Sequence, residues 1–117
     1  MSQVRDVCSV SVSVVNGQPV CSPSPIVVKG RNALIVFNLA AEDYMFPVEG
    51  ALTIKDPGQE FPDTWYISPI QIAVRDKNSG TAPSTYSYTL LVENLYTKQQ
   101  LRHDPMIINE PGGPGTP

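Results

Sequence analysis

The sequence predicts an all-β protein, an antiparallel β-sandwich of the immunoglobulin-like or cupredoxin-like kind with about seven or eight strands. Three observations predict this class. Several segments alternate apolar and polar residues with the period of two that a half-buried strand shows. Pro, Gly, Asn and Asp separate these segments. No segment carries the apolar spacing of a helix over more than two turns, so turns rather than crossover helices should join the strands.

The first strand and its turn form the clearest element. Between residues 4 and 15, Cys8 and the valines at even positions alternate with serines. Asn16-Gly17 then favours a two-residue type I′ turn, because both residues accept positive φ. Prolines follow soon after, and since proline cannot donate to a ladder, the returning strand should be short and lie at an edge.

The same turn predicts that the two cysteines are free thiols. In a hairpin with this turn, Val15 pairs with Gln18, and Val12 therefore pairs with Cys21. Cys8 then lies four residues further along the strand, roughly 13 Å away. A disulfide needs Cα atoms within about 7 Å. Two packed, unbonded cysteines favour a reducing compartment, so we predict a cytoplasmic protein.

The remaining strands follow from the same alternation. Residues 33–39 are almost wholly apolar and suit the centre of a sheet, and further strands are expected at 51–55, 70–75, 85–93 and 106–108. Tyr86-Ser87-Tyr88 is typical of the tyrosine corner of immunoglobulin-like sandwiches.

The domain boundaries follow from where these strands end. Asp104-Pro105 and Glu110-Pro111 bracket the last strand, which we expect at a sheet edge. Residues 1–111 are predicted to form a single domain, and the Gly/Pro-rich residues 112–117 a disordered tail.

Composition excludes several classes of partner. The chain has 117 residues and a net charge of -3, and its eight basic residues are scattered, which argues against nucleic acid. The longest apolar run, residues 33–37, is far shorter than the roughly 20 residues of a membrane span. The first residues lack the apolar region of a secretory signal.

The side chains that could carry chemistry are few, and we predict no catalytic residue, metal or cofactor. His103 is the single histidine, whereas a blue-copper site needs two and a closed zinc site needs four ligands. Met106 follows His103 at a ligand-like spacing, but Cys8 and Cys21 lie far upstream. Asp104 is adjacent to His103, and neighbours on an extended segment point apart, so a triad is poorly placed.

Two hypotheses of function follow. The first is a non-enzymatic module that binds a partner or a second copy of itself, through an edge strand or an aromatic patch. Its candidate recognition patch consists of His103, Asp104, Asn109 and Glu110; the aromatic patch would draw on Tyr44, Phe46, Phe61, Trp65 and Tyr66, of which at least half should be core. The alternative is a small-molecule or metal-dependent enzyme that uses His103 with nearby carboxylates.

The two acidic-proline pairs also carry a resemblance. Asp104-Pro105 and Glu110-Pro111, following strands rich in Val, Leu and Tyr, resemble the DP-EP family of small uncharacterised proteobacterial proteins. The resemblance covers nearly the whole chain before the tail. It implies a bacterial β-sandwich protein with no assigned activity, and it carries over no catalytic residue.

Overall fold

The structure, a computed structural model, describes residues 6–110, which form eleven strands and no helix. The predicted tail at 112–117 lies outside the described residues. The strand count exceeds the expected seven or eight because several strands are only two to four residues long. The strands are β1 (Asp6–Val15), β2 (Gln18–Ser22), β3 (Ile26–Val28), β4 (Ala33–Leu39), β5 (Tyr44–Met45), β6 (Leu52–Ile54), β7 (Thr64–Ser68), β8 (Gln71–Asp76), β9 (Ser84–Asn94), β10 (Gln100–His103) and β11 (Met106–Asn109).

The first sheet has five strands in the order β2-β1-β4-β8-β7. β4 lies at its centre, as its apolar sequence predicted, and its residues are alternately buried and half-buried from Ala33 to Leu39. β2, which contains Pro19, lies at one edge, where a missing backbone N–H is tolerated. β7 lies at the other edge and pairs only with β8.

The second sheet is organised around β9, the longest strand. β10 and β11 pair with β9 one after the other, β3 lies beyond β11, and β5 and β6 also pair with β9. Asp104-Pro105 interrupts the run from β10 to β11, but the Pro105 carbonyl still accepts a 3.0 Å hydrogen bond from the Tyr88 N–H. Asp104-Pro105 therefore separates β10 from β11, and Glu110 directly follows β11, whereas Pro111 lies outside the described residues.

Two strand pairs are parallel, so both sheets are mixed and the predicted antiparallel pairing holds only for the other strand pairs. β1 runs parallel to β4, and β3 runs parallel to β11. The chain leaves the first sheet after β2, forms β3 in the second sheet and then returns beside β1. The partnership of β3 and β11 also overturns the expectation that the last strand lies at an edge.

The core lies between the two sheets and makes the fold sandwich-like. Phe37 of the first sheet and Tyr88 of the second meet at a ring-centroid distance of 5.5 Å. The fully buried side chains around them come from both sheets, including Val10, Ile35, Leu90 and Ile107. Interdigitation of two apolar inner faces is the usual way in which two sheets bury their hydrophobic surface.

The first hairpin has the predicted register. Val15 pairs with Gln18 and Val12 with Cys21. Cys8 pairs with Ile35 on the other side of β1, and both cysteines are free thiols. Burial is the main reason that the pKa of each thiol is raised, so neither resembles an activated nucleophile.

The tyrosine-corner expectation fails for Tyr88. Its hydroxyl is buried and makes no hydrogen bond of good geometry within residues 6–110, whereas a tyrosine corner bonds the backbone. It faces the Cys21 thiol instead, and burial raises the pKa of the phenol.

Candidate functional site

The structure places the four residues of the predicted recognition patch in two separate locations. His103 pairs with Leu90 and Asn109 pairs with Ser84, positions six residues apart on β9. At about 3.3 Å per residue this corresponds to roughly 20 Å along the strand. The four side chains therefore do not converge on one concavity.

The first location is an exposed polar cluster around Asp104. Its carboxylate accepts a 2.7 Å hydrogen bond from the Thr89 hydroxyl and 3.1 Å bonds from Arg102 Nε. The hydroxyl bond and the Arg102 charge lower the pKa of Asp104. His103 is half-buried beside it on β10. An exposed carboxylate that is already paired lacks the desolvation that tunes an acid or base for catalysis.

The second location is a buried polar cluster that consists of Asp76, Asn78 and Asn109. Asp76 Oδ1 accepts hydrogen bonds from Asn109 Nδ2 at 2.8 Å and from the Asn78 N–H at 3.0 Å. Asn78 Nδ2 donates to three backbone carbonyls, the shortest bond being 2.7 Å to Glu110. The cluster thus ties the end of β8 to β3 and β11.

The buried cluster contains two unpaired oxygens. Asp76 Oδ2 and Asn109 Oδ1 have no hydrogen-bond partner among the described residues. Burial raises the pKa of Asp76 to about 6, against the lowering effect of its hydrogen bonds from Asn109 and Asn78, and the Glu60 charge also raises it. The cluster is sealed from solvent, since Asp76 is 0% exposed, so it cannot receive a partner without opening.

Neither location assembles a metal centre. Within residues 6–110, no three His, Cys, Asp or Glu side chains lie close enough together to hold a metal ion. In the same part of the chain, no helix has the length and apolar character needed to cross a membrane.

The aromatic residues named as a second candidate patch are divided between core and surface. Phe46 is fully buried, and Tyr44, Phe61 and Tyr66 are partly buried against the core. Tyr66 donates a 2.8 Å hydrogen bond to the Phe46 carbonyl. Trp65 is the exception, because 45% of it is exposed.

We define the open side of the sandwich as β6, β7 and the two cavities between them. One cavity of roughly 260 Å³ is lined by Leu52, Ile54, Phe61, Thr64 and their neighbours Thr53 and Pro57. A smaller one of roughly 90 Å³ adjoins it, and it shares Leu52 and Thr64. Together they form a groove between an edge of each sheet, lined by uncharged residues.

The hydrogen-bonding pattern of β7 leaves part of its backbone facing outward. The Arg75 N–H donates to the Asp63 carbonyl at 2.9 Å, so residues 63 and 75 form a hydrogen-bonded pair of the antiparallel ladder. Such pairs alternate along a ladder, and Trp65 therefore also bonds toward β8. The N–H and C=O groups of Thr64 and Tyr66 point to the open edge.

β6 repeats this arrangement on the other wall of the groove. The Lys55 N–H donates to Ser87 and the Leu91 N–H donates to Ala51, each at 2.9 Å. By the same alternation, the backbone groups of Leu52 and Ile54 point away from β9. Each sheet thus contributes an edge that lacks a neighbouring strand at the open side.

Exposed apolar side chains occur on and beside β7, as they do on other strands such as β1 and β2. Ile67 is 54% exposed and Ile70 55%, and Val48 on the facing loop is 70% exposed. β7 contains no charged residue and no proline, the two features that most often protect an edge from pairing with another chain. The open side can therefore accept an added strand, with alternate side chains entering the groove.

The fold and this surface define a class, a two-sheet all-β protein of sandwich-like character with an unprotected edge strand. Comparison with known proteins adds nothing to that class: no family model matches the sequence, and no curated protein is significantly similar to it. The resemblance to the DP-EP family stays a prediction.

The sequence predicted some residues of the open side but not the groove itself. Trp65 and Phe61 were named as aromatic candidates, but the groove depends on which strands end up at the sheet edges. A usable signal was the absence of charge and proline in residues 64–68. For Asp76, the signal was its parity with Ile72 and Val74, which continues the inward face of β8.

Proposed function

We propose that this protein is a non-enzymatic binding module that takes up an extended polypeptide strand at its open side. The unpaired edge of β7, beside an uncharged groove, is the observation that carries the proposal. An added strand would bond the free backbone groups of Thr64 and Tyr66. Its inward side chains would contact Leu52 and Ile54.

The chemistry of the site indicates the class of ligand. The residues that line the groove are uncharged and include Leu52, Ile54 and Phe61, and β7 carries no charge, so a segment with alternating apolar side chains and few charges fits best. Main-chain hydrogen bonds would supply affinity for any extended segment, while the groove would select the side chains at every second position.

The enzymatic alternative receives less support. His103 is half-buried, its neighbour Asp104 is occupied by Arg102 and Thr89, and the remaining carboxylate of the predicted set, Glu110, lies at the far end of β11. Four further properties stay predictions beside the proposed function: membership of the DP-EP family, a bacterial source, the immunoglobulin-like or cupredoxin-like type, and a cytoplasmic location. The two unbonded thiols favour the last of these.

Selection from a phage-displayed library of linear peptides tests the proposed function. We expect enrichment of uncharged peptides with alternating apolar residues. Leu52→Lys places a charge in the groove and should weaken binding of a synthetic copy of the selected peptide by about tenfold or more, that is by about 1.4 kcal/mol.

Val20→Lys is the matched control, because Val20 is an exposed apolar residue on β2, at the edge of the first sheet opposite to β7, and it lines neither cavity of the groove. It should leave the dissociation constant nearly unchanged. Circular dichroism of both variants verifies that they fold. Equal binding by the two variants, or no enrichment over an unrelated β-protein, would contradict the proposed function.

A further inference from the structure

The backbone of β7 is complementary to a second copy of itself. Thr64 and Tyr66 each present an N–H and a C=O to the open edge. If two β7 strands run antiparallel around a two-fold axis, Thr64 of each chain can form a hydrogen-bonded pair with Tyr66 of the other. No other register uses all of these groups with both strands equivalent.

The side chains around that axis favour the same arrangement. The register places Trp65 opposite Trp65 of the second copy as a non-hydrogen-bonded pair, in which Cα atoms are about 4.5 Å apart. Aromatic cross-strand pairs stabilise a sheet. Trp65 lies on the outer face of its sheet. It pairs with Ala73, whose side chain points to the face opposite to that of its β8 neighbours Ile72 and Val74, which belong to the core.

Charge favours a second copy over an acidic or basic partner. Two chains of net charge -3 repel each other in general, but residues 64–68 are uncharged. The nearest carboxylate, Asp63, is paired with Arg75 at 3.2 Å within its own chain. Two β7 edges can therefore pair without contact between like charges. The edge also has no charged side chain that would attract a charged ligand.

We infer that the strand taken up at the open side is β7 of a second copy of this chain, which joins two five-stranded sheets across a two-fold axis at Trp65. This inference rests on the proposed function, keeps its edge-strand pairing and names the partner. The backbone of β7 makes the contact, because Tyr66 of each chain donates to its own Phe46 carbonyl and does not enter the groove of the other chain. The exposed Ile67, two residues from the axis on each chain, becomes part of the interface.

Engineered cross-linking tests the register. Trp65→Cys puts two thiols at a Cα separation that a disulfide tolerates, so oxidation should give a covalent dimer in high yield. Ile67→Cys is the control, because Ile67 is similarly exposed but opposes residue 63 of the other chain. Two such thiols lie roughly 13 Å apart and should not bond. Cross-linking of both variants to the same extent, or of neither, overturns the inference.

Sedimentation velocity provides the second test. The wild-type chain should sediment as a dimer of 12.7 kDa subunits at high concentration. Thr64→Pro removes an N–H that faces only the open edge, so it should give a folded monomer, whereas Thr64→Val keeps the N–H and should still dimerise. A wild-type monomer at every concentration, or a Thr64→Pro dimer, overturns the inference.

The two proposals fail separately. If the wild-type chain is monomeric but selected peptides bind in a manner sensitive to Leu52→Lys, the proposed function stands and the second copy is excluded. If neither cross-linking nor peptide selection gives a signal, both fail. Should Thr64→Pro prevent folding, the fluorescence of the single tryptophan decides the matter, because dimerisation should shift Trp65 emission to shorter wavelength as concentration rises.

Discussion

Asp76 is the residue at which burial and charge conflict most directly. Its side chain is fully buried, and its Oδ2 atom has no partner within residues 6–110. An ionised carboxylate in that position loses hydration that two hydrogen bonds to Oδ1 do not fully replace. The hydrogen bonds that Asp76 accepts therefore stabilise the fold, whereas ionisation of its buried carboxyl group destabilises it.

The sign of the resulting pH dependence follows from the raised pKa. The folded pKa is about 6, above the value of about 3.9 in an unfolded chain. The folded state therefore binds the proton more tightly. The benefit of protonation is fully present below about pH 4, and it is lost as the pH rises through about 6.

Asp76→Asn should remove this pH dependence. The amide oxygen still accepts from Asn109 and Asn78, and no charge forms. We expect the free energy of unfolding at pH 7 to exceed that of the wild type by about 3 kcal/mol, and the difference to shrink toward pH 4. Urea unfolding across this range measures it. A constant difference between the two proteins from pH 4 to pH 7 would show that Asp76 does not titrate in this window.

At the scale of single elements, local chemistry determined what could be predicted. The register of the β1–β2 hairpin follows from Asn16-Gly17 alone, and both residues have the positive φ that a type I′ turn requires. The central place of β4 follows from its apolar sequence. These features depend on residues that are close together in the chain.

The parallel pairs could not be predicted in the same way. β1 and β4 are adjacent because the chain crosses to the second sheet between them, and no residue in either strand marks that crossing. The burial of Asn109 likewise depends on Asp76, which is 33 residues away in the sequence. The predicted recognition patch combined exposed and buried residues, because closeness in the sequence was the only indication of which side chains would lie close together in the fold.

The first hairpin offers a test of the backbone argument. Gly17 has a φ of +73°, and a Cβ atom added there would meet no other atom within 4 Å. Gly17→Ala should therefore destabilise through backbone strain alone, by about 1 kcal/mol. Gly80→Ala is the control, because its Cβ would meet only the Ala82 carbonyl oxygen, at an ordinary 3.6 Å. Thermal unfolding compares them. Equal loss of stability in both variants would contradict the account of this turn.

For the whole molecule, the two sides of the sandwich differ. On one side β2 lies against β10, and on the other β6 and β7 are parted by the groove. Proline and the contact with β10 protect the edge at β2, whereas β7 has neither protection. This asymmetry is the physical basis for assigning the binding surface to the open side.

Amide hydrogen exchange at Thr64 and Tyr66, followed by NMR in dilute and concentrated solution, tests that assignment most directly. We predict that both amides exchange rapidly in dilute protein while the Trp65 amide, bonded toward β8, is protected. In concentrated protein, Thr64 and Tyr66 should become protected as a strand is added to the edge. Protection of both amides already in dilute monomer, or rapid exchange that persists when the chain associates, would contradict the account.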